Sequence, residues 1–372
     1  MPNITKIVIT GGPCGGKSTA LSRIETHFSE LGYRVIFVNE AATEMITNGV
    51  APWIGKNSDF QIALLDTQRH KEMRYEEWAC KLQDDKVLLV CDRGALDNKA
   101  YMCAEDFASL LAAMQVSEIE LRDQYAAVFH LVTAAKGAEA FYTTANNQAR
   151  TESLAEAIAV DDRIISAWTG HPHFRVIDNA GDFDAKIGRL IGEIASFLGE
   201  PEPFEIERKF LIEYPDLALL ESLPNCTRVD IIQTYLCSST DGVETRVRQR
   251  GRDGQYVFTE TSKRRVSEMK RIETERRIPE AVYLTLLMNA DTSLRQIRKT
   301  RYCLSYENQY LEIDIYPFWK KTAIVEVELS DEEQAIVFPA FIHLIKEVTD
   351  DTSYSNRGLA ETVPAETEIV TL

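Results

Sequence analysis

The chain has 372 residues, too many for one ordinary hydrophobic core, so two domains are expected. With 41 Lys+Arg against 58 Asp+Glu the net charge is −17, which repels nucleic acid and anionic membrane in bulk, so any polyanion must be bound by a local basic site. Seven cysteines without a CxxC pair or a Cys/His cluster exclude a disulfide framework or a structural zinc, and no stretch has the length of a membrane span. With a core strand at the very start, neither signal peptide nor anchor is expected, and the cytoplasm is the expected location.

Residues Ile4 to Thr10 (ITKIVIT) read as a β-branched strand, and Lys17 to Leu31 has helical periodicity ending at Gly32. Between them Gly11 to Ser18 has the form G-x-x-x-x-G-K-S. A loop whose amide N–H groups turn inward around phosphates needs glycines, here Gly11, Gly12, Gly15 and Gly16. Lys17 is then placed to reach the β/γ-phosphate oxygens, and Ser18, followed by Thr19, to ligand Mg²⁺ at the positive end of the helix.

Arg34 to Asn39 is a second buried strand, which makes a βαβ unit and a parallel sheet; it ends at Glu40, with Glu44 one turn later. Asp59 to Trp78 is a long amphipathic helix. Lys86 to Cys91 is a third strand running into Asp92-Arg93-Gly94. A carboxylate at the carboxyl end of a strand beside a phosphate loop holds Mg²⁺ or its water shell, so Asp92 is the candidate; helix capping is its other reading. Val128 to Val132 and Phe174 to Asp178 complete the sheet, and Asp182 to Leu198 is the closing helix. The segment Lys136 to Thr169 carries Arg150 and Arg163, candidates for neutralising charge on a transferring phosphoryl group or else surface arginines of a helical hairpin. His171 and His173, in a Gly-His-Pro-His turn, read as loop residues rather than metal ligands.

On GGPCGGKST, VNEAAT, CDRGALD and the RTE…DDR insert, residues 1 to about 198 resemble the P-loop kinase/NTPase family that includes nicotinamide-riboside-kinase-like domains. The resemblance implies binding of ATP or GTP and leaves open transfer, hydrolysis or switching.

Gly199-Glu200-Pro201-Glu202-Pro203 is a polar joint, and beyond it the periodicity changes from helical to two. In Phe204 to Leu211, Glu205, Glu207 and Lys209 share one face of a strand. The same alternation recurs at Arg246, Arg248 and Arg250; at Thr259, Thr261 and Lys263; at Arg271, Glu273 and Glu275; at Lys299 and Arg301; at Glu312 and Asp314; and at Glu326 and Glu328. Charges in phase on strand after strand predict a closed or nearly closed antiparallel barrel of eight strands with a polar interior. Like charges ~4 Å apart repel by about 4 kcal/mol at a dielectric of 20, so a ligand is expected to compensate them. A triphosphate with a divalent cation suits this: bases hold phosphate, carboxylates hold Mg²⁺ or Mn²⁺. The fold class is thus α/β, a P-loop parallel sheet with flanking helices, followed by an α+β domain built on that barrel.

EIERK with its later charged strands resembles the CYTH, or triphosphate tunnel metalloenzyme, family over about 204 to 360. The resemblance implies metal roles for Glu205, Glu207, Glu326 and Glu328, and phosphate contacts from Lys209, Arg246, Arg248, Lys263, Arg271, Lys299 and Arg301. Lys17, Asp92, Arg150 and Arg163 of the first domain and Glu205, Glu207 and Lys209 of the second are the candidate catalytic residues. Arg264, Arg265, Lys270, Arg276 and Arg277 fall partly out of phase and read as a solvated face or as a contact for a phosphoinositide or nucleic acid. Asp331 to Val348 is expected to be a helix that plugs or flanks the barrel, and 361–372 a loose acidic tail. The pairing of the two domains resembles the two-domain proteins related to the eukaryotic TRP-channel translocation defect protein. Three functions fit: metal-dependent triphosphate hydrolysis in the tunnel beside a nucleotide-binding P-loop, a nucleotide-regulated module that binds a phosphorylated ligand without turnover, or cyclisation of the class IV adenylate cyclase type.

Overall fold

The structure is a computed structural model that describes residues 2–139, 142, 153–200, 206–237, 243–265, 271–329 and 334–366, with the side chains of 264–265 and 271–274 excepted. It divides into two compact units, Met1–Glu205 and Ile206–Leu372.

The first unit begins with β1 (Asn3–Gly11) and α1 (Lys17–Glu30), followed by β2 (Arg34–Val38), α2 (Ala41–Thr47), α3 (Asn57–Ala79) and β3 (Lys86–Asp92). A 3₁₀ helix (Ala95–Tyr101) leads to α4 (Ala104–Met114), α5 (Glu118–Asp123) and β4 (Ala127–Leu131), then α6 (Leu154–Trp168), β5 (Phe174–Ile177) and α7 (Phe183–Leu198). The five strands pair in parallel in the order β2-β3-β1-β4-β5. Ile7 and Ile9 of β1, Leu88 and Val90 of β3 and Phe129 of β4 are buried against Ile24 and Phe28 of α1 and Leu190 of α7. Burial on both faces is why these strands read as continuous apolar runs. Helix ends follow their caps: Ser153 and Glu156 form a capping box on α6, and Asp182 caps α7.

The second unit contains β6 (Ile206–Glu213), α8 (Leu217–Ser222), β7 (Cys226–Leu236), β8 (Val243–Arg252), β9 (Gln255–Arg265), β10 (Arg271–Ile278), α9 (Glu280–Leu286), β11 (Ile297–Tyr306), β12 (Gln309–Ile315), β13 (Thr322–Leu329), β14 (Leu344–Glu347) and α10 (Asn356–Glu361). Every strand pair is antiparallel, in the order β10-β9-β8-β7-β11-β12-β13-β6-β14. The sheet therefore has nine strands rather than eight, and among the described residues no pairing joins β10 to β14. Alternate residues of β6 and β11–β13, such as Phe210, Tyr302, Leu304, Ile313 and Val325, bury their side chains against Leu220 of α8 and Phe338, Phe341 and Ile342.

Two expectations fail here. The described part of Asp331 to Val348 is no helix: it is irregular up to β14, which pairs with β6. Pro339 denies the segment a helical hydrogen bond, while Ile336, Phe338, Phe341 and Ile342 pack onto the sheet without needing one. Nor is the C-terminal stretch loose over its described part. Trp319 Nε1 donates to the Pro364 carbonyl at 3.2 Å, and the Glu366 carboxylate accepts from the amides of Lys320 and Lys321 at 2.5 Å each.

Candidate functional sites

The phosphate loop joins the carboxyl end of β1 to α1. Gly16, the residue before α1, has φ 94°, and a Cβ there would lie 2.6 Å from the Phe183 ring. Gly12 needs its missing side chain for another reason: a Cβ would stand 2.6 Å from Asp161 Oδ1, which accepts from the Gly12 amide at 3.0 Å. The Gly15 amide closes the loop on the Gly12 carbonyl at 3.3 Å. Lys17 is buried, with Nζ 3.3 Å from the Gly11 carbonyl, whereas Ser18 and Thr19 are exposed on the first turn of α1.

Asp92 ends β3 directly beside Ile9 of β1. It caps no helix, since Gly94 is the residue that begins the 3₁₀ helix, and its Oδ1 is buried without a hydrogen-bond partner. Burial pushes its carboxyl up, with Lys17 opposing. A buried, unsatisfied carboxylate oxygen beside a phosphate loop is the donor chemistry that a hard divalent cation requires.

Three acidic groups around this loop lie in the quoted motifs but are given no role there. Glu40, at the end of β2, lies 2.5 Å from Arg93 Nε; burial opposes its ionisation, but Arg93 and Lys17 bring its carboxyl down to about 2. Asp97 accepts from Arg93 Nη1 at 3.2 Å, from Thr10 Oγ1 at 2.7 Å and from Trp168 Nε1 at 2.6 Å. Arg93 itself has φ 70°, a left-handed backbone at a non-glycine residue, held in place by these partners. Asp161 is fully buried on α6 and, besides Gly12, binds the Thr133 amide at 3.1 Å, His130 Nε2 at 2.9 Å and Lys136 Nζ at 2.8 Å. Burial opposes its charge too, yet His130 and Lys136 hold the carboxyl well below the usual range. The one signal for Asp161 in the sequence was its place in the Asp-Asp-Arg run. Arg163, from the same run, is engaged elsewhere, its Nε donating to the Ala100 carbonyl at 2.6 Å. Arg150 lies outside the described residues. His171 uses both ring nitrogens, Nε2 on the Tyr125 carbonyl and Nδ1 on the His173 amide, each at 3.0 Å.

In the second unit the strand register aligns the alternating charges. Lys209 of β6 stands opposite Glu326 of β13, which stands opposite Glu312 of β12. Arg301 of β11 is opposite Asp314 of β12, Gln233 of β7 is opposite Arg248 of β8, and Arg248 is opposite Thr259 of β9. Tyr235 of β7, Arg246 of β8, Thr261 of β9 and Glu275 of β10 form a further row. Paired residues share a face, so the named groups occupy one side of the sheet and the cluster around Phe210, Tyr302 and Val325 the other. That side is sheltered: Lys299, Asp314, Arg250 and Glu326 are all less than 10% exposed.

Compensation within this face departs from expectation. Arg301 bridges Asp314 and Glu326, each at 2.6 Å, and also pairs with Glu312. Lys209 Nζ reaches Glu326 at 2.8 Å and Glu207 at 3.3 Å, while Lys299 pairs with Asp314. Much of the charge is therefore neutralised by the protein itself rather than awaiting a ligand. Glu207 and Glu328 face each other across β6 and β13, with Lys209 Nζ 3.3 Å from Glu207, and Arg248 Nε and Thr259 Oγ1 are buried without hydrogen-bond partners. Burial, then Glu326, pushes the Glu207 carboxyl up. Among the described residues no three His, Cys, Asp or Glu side chains form a ready metal cluster, so a cation here would rest on two facing carboxylates and its phosphate ligand. Glu205 lies outside the described residues, as does the side chain of Arg271. Lys263 faces Glu244 across β8 and β9. Thr259, Glu312 and Asp314 fall on this face with the alternation that named them, whereas Gln233, which no motif singled out, belongs to it by register alone.

The two constellations define a P-loop kinase- or NTPase-like domain coupled in one chain to an antiparallel, charge-lined sheet domain. Comparison with known proteins agrees. A family described as "AAA domain" matches residues 6–186. An inorganic triphosphatase of Nitrosomonas europaea is 34% identical over 163 residues, covering 43% of this chain and 99% of the relative. A solved structure of an inorganic triphosphatase is 32% identical over 44% of this chain and 97% of its own, with a TM-score of 0.32. One of a deoxyadenosine kinase from M. mycoides with bound dATP is 17% identical over 52% of this chain and all of its own, with a TM-score of 0.38. Through the triphosphatase-like part the chain belongs to the inorganic triphosphatase family. It is an enzyme, with a P-loop domain that matches the AAA family over residues 6–186 and a triphosphatase-like region. No helix among the described residues is long and apolar enough to cross a membrane.

Proposed function

We propose that the charged face of the second unit hydrolyses a phosphoanhydride of inorganic triphosphate or a short organic oligophosphate. The single observation that carries this is the register, which gathers Lys209, Arg248, Lys299 and Arg301 with Glu207, Glu312, Asp314 and Glu326 on one sheltered face. Arg248 Nε and Thr259 Oγ1 donate to a phosphate oxygen, and Arg246 and Lys263 flank it. Glu207 and Glu328 would hold Mg²⁺ or Mn²⁺, with Glu326 beside them in its pairs with Lys209 and Arg301, and the cation would supply positive charge to the phosphate oxygens. A carboxylate of the same group takes the proton as water attacks phosphorus and the phosphoanhydride oxygen leaves.

The P-loop domain binds ATP or GTP through Gly12, Gly15, Gly16, Lys17 and Thr19, with Ser18 and Asp92 holding Mg²⁺. For transfer to a hydroxyl acceptor, Glu40, which lies just past β2 and is held by Arg93 at 2.5 Å, is the carboxylate that takes the proton as the acceptor oxygen displaces ADP or GDP.

Phosphate release from inorganic triphosphate, measured with Mg²⁺ or Mn²⁺, separates the sites. Lys17→Ala retains this release and loses ATP consumption; Glu207→Gln does the reverse. Loss of triphosphate turnover in Lys17→Ala alone would reduce the second unit to a binding module.

A further inference from the structure

The bases of the charged face are held in two different ways. Arg301 is held by carboxylates, with Asp314 and Glu326 at 2.6 Å each and Glu312 beside them. Lys209 and Lys299 likewise sit against Glu207, Glu326 and Asp314. Arg248 is held by an amide instead: its Nη2 donates to Gln233 Oε1 at 3.3 Å. The Glu275 carboxylate stands 3.8 Å from Arg248 Nη1, beyond hydrogen-bond reach, and accepts from Thr261 Oγ1 at 2.8 Å.

Gln233 lies on β7 directly opposite Arg248 on β8 and is 2% exposed. A guanidinium can only donate, so the amide must present Oε1 to it, which turns Nε2 toward the Tyr235 hydroxyl at 3.0 Å. Tyr235 is equally buried and hydrogen-bonds Arg246, its neighbour across the strands. The amide is thereby fixed at both ends, and it fixes one end of the guanidinium. Arg248 Nε is left without a partner, and across from it on β9 the Thr259 hydroxyl is unpaired as well. Burial, with Arg246, Arg301 and Arg250 around it, pushes the Arg248 pKa down against Glu275, so positive charge is in excess here.

We propose that Gln233 is a positioning residue of the triphosphate site: it aims Arg248 at a phosphate oxygen and leaves the charge of that arginine unspent. The inference rests on the reading of the second unit as a triphosphate-binding face. A carboxylate in place of Gln233 would hold the guanidinium at least as firmly, because charge-assisted hydrogen bonds are the stronger kind, but would neutralise it as Arg301 is neutralised. An apolar side chain would keep the charge and lose the aim. A neutral acceptor keeps both. The face thus divides its arginines: Arg301 ties β11, β12 and β13 together, and Arg248 is kept for the ligand.

KM and kcat for inorganic triphosphate with Mg²⁺ are measured on the full chain, together with equilibrium binding of inorganic triphosphate in chelator and melting temperatures. Gln233→Glu is expected to melt no lower than the native chain, because the Tyr235 hydroxyl can donate to the substituted carboxylate. It should nevertheless raise KM tenfold or more, with kcat within threefold of native. Gln233→Met should raise KM by a smaller factor and add less than twofold to Arg248→Ala, since it acts through that arginine. If Gln233 served only to bond the strands together, the order would reverse: Gln233→Glu, which keeps an acceptor, would match the native KM and Gln233→Met would not. That order, native KM values in both variants, or a fully additive loss in the double variant overturns the proposal. A native chain that binds inorganic triphosphate without hydrolysing it sinks the hydrolase reading alone, and the variants are then ranked by Kd. A chain that neither binds nor hydrolyses it sinks the reading of the site and this inference with it.

Discussion

Glu207 on β6 stands directly across from Glu328 on β13, two carboxylates facing each other beside the Lys209–Glu326 ion pair. Like charges directly opposite across strands destabilise the pair; Lys209, 3.3 Å from Glu207, offsets part of this, and a bound cation would offset more. In chelator, Glu328→Gln is therefore expected to change the melting temperature of the second unit little, and in Mg²⁺ or Mn²⁺ to forfeit the stabilisation that the native chain gains. Metal affinity also depends on pH. The Glu207 carboxyl is raised by burial and by Glu326, so it takes up a proton at a higher pH than an ordinary glutamate. Mn²⁺ affinity should fall as pH drops through that raised value, and Glu207→Gln should abolish that dependence along with most of the affinity.

Arg248 and Thr259 supply the second test. Buried donors with nothing to donate to are costly, and a phosphate oxygen removes the cost. Arg248→Ala should raise the KM for inorganic triphosphate at least tenfold, with Arg248→Lys close behind, because a single ammonium cannot reproduce the directed Nε–H. Steady-state kinetics on both variants decide it. A full rescue by lysine would show that only charge is needed there.

Period-two alternation made the second unit legible because strand faces are set by sequence parity alone, and Glu207, Arg248, Arg301 and Glu326 fell on one face as read. Which charge neutralises which was not legible. Arg301 binding Asp314, Glu312 and Glu326 at once depends on the order of β11, β12 and β13, which no single strand encodes. In the first unit the glycine-rich loop announced itself, but Asp161 lies 149 residues from the Gly12 amide it holds, and a contact of that separation leaves no local periodicity. Asp331 to Val348 was misread for a different reason: its apolar residues have helical spacing, but Pro339 and the open outer face of β6 favour irregular packing and a short strand.

Asp161 gathers Gly12, Thr133, His130 and Lys136 onto one buried carboxylate. Asp161→Ala leaves the Gly12 and Thr133 amides and His130 Nε2 without this acceptor and Lys136 with Asp162 alone, and breaking a buried charged network of this kind costs about 3–5 kcal/mol. Asp161→Asn, which keeps one oxygen for the Gly12 amide, should cost less. Both should weaken MgATP binding, the alanine variant more, and leave inorganic triphosphate turnover unchanged. Denaturant unfolding of the first unit and nucleotide titration check the two halves of this expectation.

His171 links the first unit's stability to pH. Burial pushes its pKa down to about 3, with Asp123 opposing, while an imidazole in the unfolded chain titrates near 6.5. Between these values the unfolded state binds a proton that the folded state refuses. The stability contributed by neutral His171 is accordingly complete above about pH 6.5 and is lost as pH falls, at a limiting slope of ~1.4 kcal/mol per pH unit from this one group. Nothing about the phosphate sites is needed for this effect, so it should persist in Lys17→Ala. In His171→Gln the amide can donate to the Tyr125 carbonyl and accept from the His173 amide, the two bonds the imidazole makes. That variant should be somewhat less stable at pH 8 and lose stability more gradually toward pH 5, by one proton's worth of slope. Urea unfolding of both proteins at half-unit pH steps measures the difference, and parallel curves would mean that the imidazole accepts its proton without leaving the fold.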